Sequence, residues 1–144
     1  MTTTPVLQLG TSRFLQAHAD LYLDEAGGGP VTVVQSSGDR SRTGRLAALS
    51  GPGGYPVRVR GLLNGKPVDR EQRVRSVARG LSTTEDWPEV LRVAREEARV
   101  VVSNTGDAGF RPAAADEAAE FHQAMSYPAK LMHLLLARFD AGGE

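Results

Sequence analysis

The chain is 144 residues long, 40% hydrophobic and 24% charged, with seventeen basic and seventeen acidic side chains and no cysteine. It is long enough to bury a core of its own, and its balanced charge supplies no overall pull toward nucleic acid or an acidic membrane surface. The missing thiols exclude disulfides, thiolate nucleophiles and cysteine-held metals and suit a reducing cytoplasm; no run approaches about 18 apolar residues, and Met1-Thr-Thr-Thr-Pro5 has no basic stretch backed by an apolar one, so neither membrane insertion nor secretion is expected.

The first predicted element is a short buried strand, Val6-Leu-Gln-Leu-Gly10, followed by a helix capped by Thr11 or Ser12. Phe14, Leu15, Ala17, His18, Leu21 and Tyr22 share one helical face, and Gly27-Gly-Gly-Pro30 ends the helix. Val31-Thr-Val-Val-Gln35 is β-branched and uncharged, as a parallel strand covered on both faces should be. Strand, helix and strand make a βαβ unit, whose natural ligand site lies at the carboxyl ends of the strands.

Gly51-Pro-Gly-Gly54 is a turn cluster, after which Tyr55, Val57 and Val59 alternate with polar or proline positions as in a half-exposed strand. Asn64-Gly65 signals a hairpin, with a run around Arg73–Val77 expected to pair back antiparallel. Ser82-Thr-Thr-Glu85 has capping-box spacing ahead of a helix with Trp87, Val90, Leu91 and Ala94 on its inner face. Arg99-Val-Val-Val-Ser103 reads as another buried strand. Residues 116–125 and 126–139 read as two helical pieces divided near Pro128, with Leu131, Leu134, Leu135 and Phe139 on the apolar face and Gly142-Gly143 as the stop. The fold class expected is α/β, a partial Rossmann-like doubly wound sheet with a β-hairpin insertion, in one domain over residues 1–144.

Two polar segments sit at strand exits. Gly10-x-Ser12-x-Phe14 joins a strand to a helix, where glycine permits close ligand approach and free helix N–H groups favour a pyrophosphate; alone it lacks the full G-x-G-x-x-G pattern, and a glycine ending a strand is more often simple turn chemistry. Ser103-Asn-Thr-Gly-Asp-Ala-Gly109 follows another strand and could converge on the same sheet edge, although Asn, Thr and Asp are also ordinary turn formers.

Leu7-Gln-Leu-Gly-Thr-Ser-Arg-Phe-Leu-Gln-Ala-His18, Tyr55-Pro-Val-Arg-Val-Arg-Gly61, Ser103-Asn-Thr-Gly-Asp-Ala-Gly109 and Ser126-Tyr-Pro-Ala-Lys-Leu131 together resemble, in order, motifs of the polyol-specific long-chain dehydrogenases. That family includes mannitol dehydrogenase, fructuronate (mannonate) reductase and tagaturonate (altronate) reductase, and the Ser, Asn, Thr and Pro-Ala-Lys details look closer to the tagaturonate reductase branch. The resemblance implies NAD as cofactor, hydride transfer to or from the CH–OH group of a sugar alcohol or sugar acid, and no metal. It places Gly10, Thr11, Ser12 and Phe14 in the dinucleotide loop and Asn104 and Thr105 beside the nicotinamide ribose. Ser12 departs from the second glycine usual in the family loop, and Gln16 from an arginine common there.

Cofactor choice is read at the end of the second strand, where a carboxylate favours NAD and arginine favours NADP. Gln35 is the strand-end candidate; Asp39 could reach a ribose, and Arg40 and Arg42 a phosphate, so the residues leave the choice open and NAD follows from the resemblance. The family's catalytic lysine, with its asparagine and histidine partners, belongs to a second, C-terminal domain. The expectation is therefore an incomplete N-terminal dinucleotide-binding domain with no catalytic residue of its own, or alternatively a non-catalytic nucleotide-binding or oligomerisation module. Lys130 is read as helix-start packing, and His18, His122 and His133 lack metal-ligand spacing. Residues 39–79 carry ten basic against three acidic side chains, but without interleaved aromatics they do not read as a nucleic-acid surface.

Overall fold

The computed structural model of the protein describes residues 2–142. Val6–Leu9 (β1) and Val31–Gln35 (β2) are buried along their whole lengths, as near-uncharged strands inside a parallel sheet must be, and they pair in parallel from Val6 opposite Val31 to Leu9 opposite Val34. The single helix expected between them is two, Arg13–Ala17 (α1) and Ala19–Ala26 (α2). The break falls at His18, whose backbone leaves the helical region (φ −124°, ψ −78°). It turns the second segment so that Asp20 and Leu21 face inward, while Phe14 and Tyr22, expected on the inner face, stay 57% and 58% exposed. Gly27, left-handed at φ 65°, ends α2 as predicted.

After β2, Asp39 accepts the Ser41 N–H and starts a 3-10 turn, Arg40–Arg42, which runs into Thr43–Leu49 (α3), a helix the sequence reading missed. The hairpin forms from Tyr55–Leu63 (β3) and Lys66–Val74 (β4). Its turn holds Asn64 at φ 52° and Gly65 at φ 76°, the double positive φ of a two-residue hairpin turn, which fixes Leu63 opposite Lys66 and Tyr55 opposite Val74. The partner is therefore 66–74 and not the run around Arg73–Val77. Val77–Ser82 (β5) instead joins the parallel sheet beside β2.

The expected Ser82–Glu85 capping box does not form, because Asp86 stands at the N-cap of Trp87–Glu96 (α4). Its carboxylate accepts from Ser82 N (2.9 Å), and Ser82 Oγ accepts from Thr84 N (3.1 Å). Val100–Ser103 (β6) pairs with the other side of β1 and forms the sheet's edge, so Val100 is 52% exposed where a covered strand was expected. The helix expected over 116–125 is also absent. Asp116 spends its carboxylate on two loop amides, Ser126 N (2.7 Å) and Ala113 N (2.9 Å), and Ala118 is extended. Ser126 then caps Tyr127–Asp140 (α5), with Pro128 in its first turn, so the proline opens a helix and does not divide one. Leu134 faces inward from α5, whereas Leu135 and Phe139 do not. Gly142 is left-handed beyond α5; Gly143 lies outside the described residues.

The sheet order is β5-β2-β1-β6, all parallel. One core packs Leu21, Leu46 and Leu49 with Tyr55 and Val74 against Val6, Val31 and Val33. The other packs Val90, Val93, Ala94 and Leu134 against Leu7, Leu9 and Val34. Helices thus cover both faces, and the chain progresses outward from β1 on one side, then returns to add β6 on the other. That reversal beside β1 is a topological switch point, where ligands settle in open α/β sheets. Among the described residues no helix is long and apolar enough to cross a membrane, and no group of three His, Cys, Asp or Glu residues could hold a metal ion.

Candidate functional site

The carboxyl ends of β1, β2 and β6 open onto a cleft of about 290 Å³. Gly10, Thr11, Ser12 and Arg13 form its floor after β1; Gln35, Ser36 and Ser37 its wall after β2; Asn104, Thr105 and Gly106 the wall after β6. Arg42 and Arg45 reach it from the β2–α3 side and Tyr127 from the start of α5. This lining has three arginines and neither Asp nor Glu, so its field favours an anionic ligand.

Gly10 has φ 120°, a backbone conformation that strains any residue with a side chain, although a Cβ there would make only ordinary contacts with Leu15 Cδ1 (3.4 Å) and the Asn104 carbonyl (3.6 Å). Gly10 N donates to Val34 O (2.8 Å), Tyr127 Oη donates to Leu9 O (2.7 Å), and Gln16 Nε2 donates to Thr11 O (3.0 Å), fixing the floor loop from three directions. Burial pushes the Tyr127 phenol above its ordinary value, which keeps it a hydrogen-bond donor. Ser12 caps α1, its hydroxyl accepting from Leu15 N (3.2 Å). On the β6 side Gly109 packs so closely that a Cβ there would overlap Thr105 Oγ1, which leaves glycine as the residue compatible with this Thr105 position.

The β2 wall is cross-tied. Lys130 is buried and donates from Nζ to Ser36 O (2.6 Å), which also accepts from Thr83 Oγ1 (3.3 Å). Loss of solvent lowers the Lys130 pKa, and its ammonium serves here as a brace between α5 and the loop after β2. Gln35, 3% exposed, donates from Nε2 to Ser37 O (3.1 Å) and Asp39 O (2.9 Å), leaving its Oε1 without a partner among the described residues.

Beneath the floor, Asp20 Oδ2 accepts from Tyr55 Oη (3.0 Å) and Gln8 Nε2 (3.4 Å). Gln8 also donates to Gly10 O (3.3 Å), linking this buried knot to the cleft loop.

The structure brings Gly10, Thr11, Ser12, Gln35, Asn104 and Thr105 to one cleft. Phe14 is not among them: it lies on the outside of α1, stacked on the His18 ring at 4.4 Å. Asp39 and Arg40 also stay out of the lining, while Arg42 enters it. Arg13, Ser36, Ser37, Arg45, Gly106 and Tyr127 were not foreseen; Ser36 and Ser37 follow directly from their place after the strand-end Gln35.

A doubly wound parallel sheet with its cleft at the switch point defines a Rossmann-like fold, and a solved D-sorbitol dehydrogenase in substrate-free form shares it at a TM-score of 0.69. That match covers 97% of this chain and 32% of the other at 17% identity. By sequence the chain is a homologue of altronate oxidoreductases, in keeping with the mannitol dehydrogenase and altronate oxidoreductase family that its four motifs resemble. It is 30% identical to that of Halalkalibacterium halodurans over 96% of this chain, and 34% identical to those of Shigella sonnei and Escherichia coli over 94%. It spans less than a third of those relatives' length, 28% and 29% respectively. No protein-family profile matches the chain.

Proposed function

We propose that this chain is the NAD-binding part of an oxidoreductase that transfers hydride between a nicotinamide cofactor and the CH–OH group of a sugar alcohol or sugar acid. The single observation that carries the reading is the cationic, carboxylate-free cleft at the switch point between β1 and β6. The relatives' names, altronate oxidoreductase and D-sorbitol dehydrogenase, supply the reaction class and the kind of substrate. The residues fit the cofactor: Gly10 carries no side chain at the floor, Arg13 would meet the pyrophosphate, the β2 wall would take the adenosine ribose, and Asn104 and Thr105 would border the nicotinamide ribose. When bound, the nicotinamide supplies the hydride donor or acceptor at C4. This chain's residues bind and orient it, and no side chain in the cleft is assigned to proton transfer.

Gly106 offers a test that spares the core. Its backbone (φ −84°, ψ 174°) suits any residue, nothing lies within 4 Å of a Cβ there, and it lines the cleft. Calorimetric titration is expected to show saturable NADH binding to the native chain and binding at least about tenfold weaker, or about 1.4 kcal/mol, to Gly106→Trp at an unchanged melting temperature. A native chain that ignores millimolar NADH would refute the assignment.

A further inference from the structure

We infer that the β3–β4 hairpin of one copy of this chain docks onto the outer face of α5 of a second copy, joining two apolar surfaces that the chain's own packing leaves uncovered. In the hairpin, directly opposed residues share a face, so Tyr55 and Val74 at its base lie on the same side as Val57, Val59, Leu63 and Val68. At the base that side enters the core beside Leu21 and Val33. Toward the turn it leaves the body of the protein. Val57, Val59 and Val68 are only partly buried, Leu63 is 66% exposed, and a hollow of about 230 Å³ is bordered by Val59, Leu63, Val68 and Arg70. The opposite side is satisfied from within, with Asp69 accepting from Arg58 (2.7 and 2.9 Å) and Arg60 (3.3 Å). A lone two-stranded hairpin is at best marginally stable in water, so its apolar side is the one that calls for a cover.

α5 offers the matching surface. Met132, Leu135, Leu136 and Phe139 recur at helical spacing, and the groove they form has no charged residue in its lining. Its surroundings are acidic. Asp140 follows Phe139 and is exposed, and residues 107–120, whose first turn packs against α5, carry four acidic side chains against one arginine. Two cations of α5 itself are engaged elsewhere, Lys130 with Ser36 O and Arg138 with the carbonyls of Ala94 and Ala98. The hairpin is the reverse, with five basic against two acidic side chains over residues 55–74. Lys66 and Arg70 stand on its apolar side, and neither forms an ion pair among the described residues. Hairpin against hairpin, or α5 against α5, would oppose like charges. Hairpin against α5 sets an apolar centre on an apolar centre and a basic rim on an acidic one. The two surfaces do not meet within one chain, because the hairpin is rooted in the core on one side of the parallel sheet and α5 seals the core on the other. The contact is therefore head to tail between copies.

The test is sedimentation velocity of the native chain, of Leu63→Glu, which spoils the hairpin, and of Phe139→Lys, which spoils the α5 face. Both residues are exposed, so the melting temperatures should stay within about 2 °C of the native value. The native chain is expected to associate as its concentration rises, and less so as salt screens the rims. Each variant alone should associate at least about tenfold more weakly. Their equimolar mixture should form heterodimers, because the intact hairpin of Phe139→Lys meets the intact α5 of Leu63→Glu. A native chain that stays monomeric throughout overturns the inference and leaves these faces to a different partner. Association that survives either substitution overturns it as well, as does a mixture that associates no better than the separate variants.

Discussion

Asp20 has its Oδ2 bonded to Tyr55 and Gln8 and its Oδ1 without a partner among the described residues. Burial, only partly opposed by those two hydrogen bonds, raises its pKa from 3.8. A raised native value means that the folded chain holds the Asp20 proton more tightly than the unfolded one. The resulting stability is complete below pH 3.8 and fades as pH climbs through the native value. Asp20→Asn removes that slope, so the variant should gain on the native protein as pH rises, by about 1.4 kcal/mol for each unit by which burial displaces the titration. Melting curves of the two proteins between about pH 3 and 7 read this directly; curves that stay parallel would exclude a tightly held Asp20 proton. Sequence alone could not expose this residue, since an aspartate at the second position of a helix looks like any solvated helix carboxylate. Gly10, Ser12, Gln35, Asn104 and Thr105 were legible for the opposite reason: strand-end positions of a parallel sheet converge whatever the details of packing.

At the scale of elements, the legible parts were those whose signal is local. β1, β2, the Asn64-Gly65 turn and α4 each carry their pattern within a few residues, whereas Pro128, read as a divider, opens α5. The hairpin turn was legible but its partner was not: the two-residue turn at 64–65 forces 66–74 as the partner in place of the run around Arg73–Val77, which releases Val77–Ser82 for the parallel sheet. What short-range patterns could not show is that α3 would lie against β5, because that depends on β5 pairing with β2. Gly80 makes the contact possible, since a Cβ there would sit 2.9 Å from Leu46 Cβ and 3.1 Å from the Leu46 carbonyl oxygen. Arg45, next in sequence to Leu46, therefore owes its place at the cleft to a glycine two elements away. Gly80→Val should overpack this contact and cost about 1–3 kcal/mol in denaturant unfolding. On the opposite face Leu134→Ala should cost about 2–5 kcal/mol, because Leu134 is fully buried among the α4 side chains. Losses under about 0.5 kcal/mol at both sites would contradict the two-faced packing.

For the molecule as a whole, the two faces of the sheet are finished unequally. α5 seals the second core through Ala129, Leu134 and Ala137, yet presents Met132, Leu135, Leu136 and Phe139 outward along an apolar groove of about 480 Å³ that Pro128 and Leu131 complete. Phe139 is 74% exposed, and a contiguous apolar face of this kind is uncommon on a monomer. The folded chain should accordingly bind an apolar-surface dye such as anilinonaphthalene sulfonate. The pair Leu136→Lys and Phe139→Lys should remove most of that signal while leaving the melting temperature within about 2 °C, since exposed substitutions change stability little. Dye binding that persists in the double variant would place the apolar surface elsewhere.

β1 lies between neighbours recruited from very different places in the chain, β2 at 31–35 and β6 at 100–103. On the ribosome the first neighbour is ready almost at once, while the second emerges only after the hairpin, β5 and α4 have been made. At about 5–20 residues per second, the nascent chain spends several seconds with one flank of a strand that ends fully buried still open. The interval in which this protein most needs protection from other chains thus ends with the synthesis of Val100–Ser103, the same segment that delivers Asn104 and Thr105 to the cleft.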